Sequence, residues 1–91
     1  MRTFSRTSQF KKDVRRAEKR GHDLTRLRRV LDLLIDGRPL PPEFKDHPLR
    51  GDYAGCRDCH LEPDWLLIYT LTEQGTHIRL ERTGTHSDLF R

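Results

Sequence analysis

The stretch Gly55-Cys56-Arg57-Asp58-Cys59-His60-Leu61-Glu62-Pro63-Asp64-Trp65-Leu66-Leu67-Ile68-Tyr69 reads as a strand, a tight polar turn and a second strand. Arg57, Cys59 and Leu61 alternate with Asp58, His60 and Glu62, the period-2 pattern of a pleated ribbon. Pro63-Asp64 supplies the turn, because proline fixes φ and aspartate can bond its own backbone. Trp65 to Tyr69 is a continuous apolar run, as expected of a central strand covered on both faces. Three groups with chemical potential, His60, Asp64 and Trp65, sit at or beside the turn. Arg82-Thr83-Gly84-Thr85-His86-Ser87-Asp88-Leu89-Phe90 is a second polar cluster of similar character.

Working outward, strands are predicted over about 53–61, 65–71 and 76–82, the last two joined by a hairpin connection at Glu73-Gln74-Gly75. Residues 2–6 read as an edge strand. Thr7 or Ser8 can cap the helix that follows, with Phe10, Val14 and Ala17 on one face and Lys11, Lys12, Arg15, Arg16, Lys19 and Arg20 on the other. Gly21 ends that helix. Asp23 caps a second, striped by Leu24, Leu27, Leu31 and Leu34, widened by Val30 and Ile35, and closed by Gly37. Pro39, Pro41 and Pro42 forbid its continuation, and 45–52 is predicted as loop. The reading is a single α+β domain over residues 1–91, of order β-α-α-β-β-β. It has a small antiparallel sheet, two N-terminal helices packed on one face, and the other face left for a ligand.

Ninety-one residues bury only a small core, so the stability margin is modest. Charged residues are 35% of the chain, and the mean hydropathy is −0.87. The two apolar runs nevertheless argue against disorder. A net charge of +4 and a pI near 9.5 favour an anionic partner, nucleic acid or an acidic protein, over a merely solvated basic surface. The first residues carry no apolar segment of the secretory kind, and no run approaches a membrane span; a cytoplasmic protein with reduced thiols is expected, without membrane partners.

His47, His60 and His86 lie on three separated segments, and Asp64 follows His60 across the turn. An imidazole accepts or donates a proton near neutral pH. Cleavage of RNA by its own 2′-hydroxyl needs a base on that hydroxyl, an acid on the leaving 5′-oxygen and positive charge on the phosphoryl oxygens. Histidines with Arg82 can supply these without a metal or cofactor, although the spacing alone fits exposed polar residues as well. Trp65 and Phe90 can stack on bases. Trp65 opens an apolar strand and so reads first as core, whereas Phe90 follows a polar stretch. Cys56-Arg57-Asp58-Cys59-His60 matches the C-x-x-C-H pattern of haem attachment, but in a predicted cytoplasmic strand it reads as two small, partly buried residues. It lacks the second pair of a zinc site and does not open a helix as a redox motif does.

The segments Lys45-Asp46-His47-Pro48-Leu49-Arg50-Gly51, His60-Leu61-Glu62-Pro63-Asp64-Trp65 and Arg82-Thr83-Gly84-Thr85-His86 with Leu89-Phe90 resemble the YafQ branch of the RelE-type toxins. The resemblance implies a ribosome-dependent mRNA endonuclease neutralised by a cognate antitoxin from the same operon, on a RelE-like fold. Carried over by position, it makes His47, His60, His86 and Asp64 catalytic and Trp65 and Phe90 substrate-positioning, the Trp65 ring then half buried and half presented. In the resulting expectation His47 and Asp64 serve the base side, His86 is the acid and His60 orients the phosphate. Lys45 and Arg82 stabilise developing charge, and Lys11, Lys12, Arg15 and Arg16 contact ribosomal RNA. Operator DNA is expected to be bound only through the antitoxin complex. The competing reading from another class is a related-fold toxin that blocks a protein target such as a topoisomerase without catalysis.

Overall fold

The computed structural model describes residues 1–90. Strand β1 (Thr3–Arg6) leads into helix α1 (Ser8–Lys19), and α2 (Leu24–Asp36) follows. Then come strands β2 (His47–Pro48), β3 (Arg57–Glu62), β4 (Trp65–Thr72) and β5 (His77–Gly84), and the short helix α3 (His86–Phe90). The helix signals act as their chemistry dictates. Thr7 Oγ1 accepts from Phe10 N at 3.0 Å, Asp23 Oδ1 accepts from Thr25 N at 3.0 Å, and Gly37 closes α2 at φ +75°.

The sheet runs β1-β5-β4-β3-β2. Strands β3, β4 and β5 are antiparallel neighbours, as expected, and β2 joins antiparallel to β3, but β1 lies parallel to β5, so the sheet is mixed. The two helices carry the chain over one face before β2, which leaves β1 free to occupy the open edge of β5. The segment expected as loop contributes β2, pairing His47 with Asp58 and Pro48 with Arg57. The strand expected from Tyr53 begins only at Arg57, because Gly51–Tyr53 forms a tight 3-10 turn and Gly55 takes φ +90°.

Phe10 and Ala17 of α1 and Leu27, Val30 and Leu34 of α2 pack on Leu61, Trp65, Leu67, Tyr69, Ile78 and Leu80, which forms the main core. The opposite face is not bare, as the sequence suggested. Leu66 and Ile68 gather Leu89 of α3 with Leu49, Tyr53 and Cys56 into a second, smaller core. The apolar run of β4 therefore faces apolar groups on both sides, and the polar site lies at the rim of the second core. Cys59 is buried and Cys56 half-buried, each in a different core. No helix among the described residues is long and apolar enough to cross a membrane.

Candidate active site

Three segments far apart in sequence bring His47, His60 and His86 into one row. The rings of His47 and His60 are 6.2 Å apart between centroids, and those of His60 and His86 5.7 Å apart. Phe90 continues the row 6.3 Å beyond His86, with Tyr53 edge-on to it at 5.6 Å. His60 projects from β3, His47 from the two-residue edge strand β2, and His86 and Phe90 from the two ends of α3. Asp64, in the β3–β4 turn, joins the row through His86: its Oδ1 accepts from the backbone N–H at 2.9 Å and from Nδ1 at 2.6 Å.

That contact decides two protonation questions. A carboxylate only accepts, so Nδ1 of His86 carries a hydrogen and Nε2 is the atom left to face a substrate. Asp64 is held below the usual carboxylate range, first by the His86 backbone N–H and then by its ring. So committed, the carboxylate sits with His86, the expected acid, and is a poor acceptor of a further proton. His47 is similarly engaged. Its Nδ1 donates to the Lys45 carbonyl at 2.6 Å, and its Nε2 lies 3.1 Å from Asp58 Oδ1. The latter is within ion-pair reach but off the line of a hydrogen bond, so Asp58 Oδ1 has no hydrogen-bond donor among the described residues. His60 makes no such commitment. Burial lowers its pKa below the ordinary histidine value, with the charges on His86, Lys45 and His47 acting the same way and Asp58 opposing.

Asp58, which sequence reasoning did not place among the site residues, lies against the row. It is 3% exposed, and burial raises its pKa against the pull of His47, His60 and His86. A buried carboxylate surrounded by three imidazoles stores negative charge under a site that must handle protons. The only sequence signal is its place one alternation before His60 on β3.

The expected charge stabilisers separate. Lys45 adopts φ +50°, uncommon for a side-chain-bearing residue. It lines a cleft of about 260 Å³ with His60, Arg26 and Glu62, so its charge is at the site. The Lys45-Asp46-His47 segment is pinned by Asp46, which accepts from Tyr69 Oη at 2.5 Å and from the Arg57 guanidinium at 3.3 Å. Arg82 is otherwise occupied: its Nε donates to Asp13 Oδ2 at 2.7 Å and its Nη2 to Asp13 Oδ1 at 3.3 Å. Asp13, 1% exposed, also accepts from Thr83 N and Arg16, so it ties α1 to β5 and neutralises much of the charge expected at Arg82.

Two further expectations are corrected. Trp65 is 0% exposed, so its ring is not half presented. It is stacked beneath His22 at 4.5 Å and 21° in the main core, because β4 turns its odd-numbered side chains toward the helices. Lys11, Lys12 and Arg15 are exposed on α1 as expected, but Arg16 is half-buried and paired with Asp13 and Asp88, which removes it from the free basic face. Phe90, 43% exposed, is presented as expected. Among the described residues no group of three or more His, Cys, Asp or Glu side chains is arranged to hold a metal ion.

Comparison with known proteins follows the same outline. Residues 2–91 match the family described as the bacterial toxin of the type II toxin–antitoxin system, YafQ. The mRNA interferase toxin YafQ of Escherichia coli strain K12 is 49% identical over 90 residues, 98% of this chain and 96% of that protein. The E. coli DinJ–YafQ complex contains a chain that superposes with a TM-score of 0.91 at 48% identity, covering 100% of both chains. A metal-bound toxin from Helicobacter pylori superposes with a TM-score of 0.90 at 42% identity, covering 99% of this chain and 100% of that one.

Proposed function

The chain belongs to the YafQ family of bacterial type II toxins, and from that premise we propose that it is an mRNA interferase, an endoribonuclease that cuts message on the ribosome. The observation that carries this reading is the row of three imidazoles whose outer member, His86, has Nδ1 fixed on Asp64 and Nε2 without a partner among the described residues.

In the proposed step, neutral His60 takes the proton of the 2′-hydroxyl as its oxygen forms a bond to the adjacent phosphorus. His86 Nε2 gives a proton to the 5′-oxygen as the P–O5′ bond breaks. The products are a 2′,3′-cyclic phosphate and a 5′-hydroxyl, and His60 and His86 have exchanged protonation states. Asp64 fixes the tautomer of His86 and stabilises its charged form. Lys45 stabilises the negative charge that builds on the phosphoryl oxygens, with His47 adding to it when protonated over Asp58. Phe90 stacks on a base. The exposed Lys11, Lys12 and Arg15 bind ribosomal RNA, where counterion release favours polyanion contact. A cognate antitoxin neutralises the chain, as the solved DinJ–YafQ complex supports by analogy, and operator DNA is reached through that complex. This activity places the protein in the cytoplasm.

End-group analysis tests the chemistry. Fragments bearing cyclic or 3′-phosphate and 5′-hydroxyl ends are expected, and a message with 2′-O-methyl sugar at the cleavage site should resist. The proposed step uses no metal, so toxin stripped with a chelator and then desalted should cleave ribosome-bound message in a single turnover at an unchanged rate. Efficient cutting of the 2′-O-methyl message, or 5′-phosphate ends, would refute it.

A further inference from the structure

Helix α3 carries both His86 and Phe90, yet at five residues it is too short to be stable alone. Its inner side is held by Leu89, 7% exposed in the second core, and its start by a reciprocal cap. Thr85 Oγ1 accepts from Asp88 N at 3.1 Å, and Asp88 Oδ2 accepts from Thr85 N at 2.9 Å. What fixes its direction is a second use of the same carboxylate. Arg20 donates to both Asp88 oxygens, at 2.7 and 3.3 Å, and Arg16 Nη2 lies 3.5 Å from Oδ2 and 3.1 Å from the buried Asp13.

We propose that Asp88, clamped by Arg16 of α1 and by Arg20 at its C-cap, is a positioning residue for the nuclease: it sets α3 so that His86 and Phe90 stand in register with His60. The proposal rests on the ribonuclease reading above. Gly84 supplies an independent observation. Its φ lies outside the left-handed region, so conformation does not require glycine. A Cβ there, however, would sit 2.9 Å from Asp88 Cβ, 3.0 Å from Asp88 Oδ2 and 3.1 Å from Arg16 Nη2. The strand is bare at this one point because the clamp passes against it. The Arg20 and Arg16 side chains are 43% and 36% exposed, and pairs on such a rim add little to stability. Their removal is therefore expected to be felt in placement more than in melting. Arg16 and the capping Arg20, two cations of the basic face that the sequence offers for polyanion binding, thus pair with Asp88.

Asp88→Asn isolates the clamp, because asparagine keeps an oxygen for Thr85 N and loses the charge that holds the arginines. Asp88→Glu restores the charge and preserves a capping pattern. The assay is single-turnover cleavage of ribosome-bound message, with the tautomer of His86 followed by long-range 1H–15N NMR of the free toxin. Asp88→Asn should lower the maximal rate about 10- to 100-fold, the scale of an ångström misplacement, with the half-saturating ribosome concentration unchanged. His86 should lose its single Nδ1–H tautomer, and Asp88→Glu should recover the rate to within about threefold. If Asp88→Asn is too unstable to assay, Arg20→Gln on the exposed rim must give a smaller loss of rate in the same direction. An Asp88→Asn rate within about twofold of wild type beside an inactive His86→Ala overturns the clamp alone. A rate loss with the His86 tautomer unchanged overturns it as well. A fully active His86→Ala overturns the acid role of His86 and the clamp with it, whereas a wild-type toxin that leaves ribosome-bound message intact overturns the ribonuclease reading itself.

Discussion

Replacing Trp65 separates a core residue from a substrate contact. The ring is 0% exposed and stacked on His22, and its Nε1 has no hydrogen-bond partner among the described residues, so its contribution is packing. Truncating a buried tryptophan to alanine costs about 3–5 kcal/mol, a transfer term plus a cavity term. With about 2.1 cal/mol/K of unfolding entropy per residue over 91 residues, the total is about 0.19 kcal/mol/K. Trp65→Ala should then melt about 15–25 °C below wild type. Against a total stability of about 5–14 kcal/mol for a chain of this length, it keeps about 0–11 kcal/mol and is assayed in the cold. Trp65→Phe leaves no hydrogen bond unmade, should cost about 1–2 kcal/mol and should melt about 5–10 °C lower. Below its melting range it should cleave message at close to the wild-type rate. Calorimetry on each variant, paired with cleavage at a temperature where it is folded, gives both quantities. A Trp65→Ala protein that melts within about 5 °C of wild type yet does not cleave would show that the ring meets the substrate, and the burial argument would fail.

The titration behaviour of the site provides a second check. With His60 as base, the rate should rise with pH as its imidazolium is lost, the limb centred below the ordinary 6.5 because burial disfavours the charged ring. His60→Ala should abolish that limb in a single-turnover pH profile, while a limb unchanged by this substitution would reassign the base. On the basic face, Lys11→Glu with Lys12→Glu and Arg15→Glu should raise the half-saturating ribosome concentration about tenfold or more and flatten its salt dependence. Melting should be unaffected because these side chains are exposed and make no ion pair among the described residues, and an unchanged ribosome affinity would move the contact elsewhere.

The elements most legible in the sequence are those with local causes. The leucine stripe of α2, the caps at Thr7 and Asp23, the β3–β4 turn at Pro63-Asp64 and the break at Gly37 follow from periodicity and backbone chemistry, and each stands where expected. The parallel seat of β1 and the two-residue β2 leave no local trace, since both depend on which sheet edges remain open. The histidines and Asp64 stand out as residue types suited to proton transfer, and the structure brings them together. Their division of labour is not legible, because it depends on which ring nitrogen meets which acceptor. The three structurally engaged carboxylates are equally hidden. Asp13 occupies an apolar-face position of α1 between Phe10 and Ala17, Asp58 alternates into a polar strand face, and Asp88 looks like any helix-start acid. In each case the partner, Arg82, His47 or Arg20, lies on another element.

The pairing of β1 with β5 bears on when a newly made copy becomes dangerous. Thr3 stands beside His77, 74 positions later in the chain. Until β5 has emerged from the ribosome that is making it, β1 has no strand to lie against. Asp13 meanwhile lacks the Arg82 and Thr83 donors that satisfy it in the finished core. Contacts so distant in sequence also form late, because a long loop must close first. Helix α3, with His86, follows β5 and comes later still. A nascent chain that has not yet exposed β5 and α3 therefore lacks the assembled site. The interval between the emergence of these last elements and the closure of the β1–β5 pair is the time a partner has to reach the chain before it can cut.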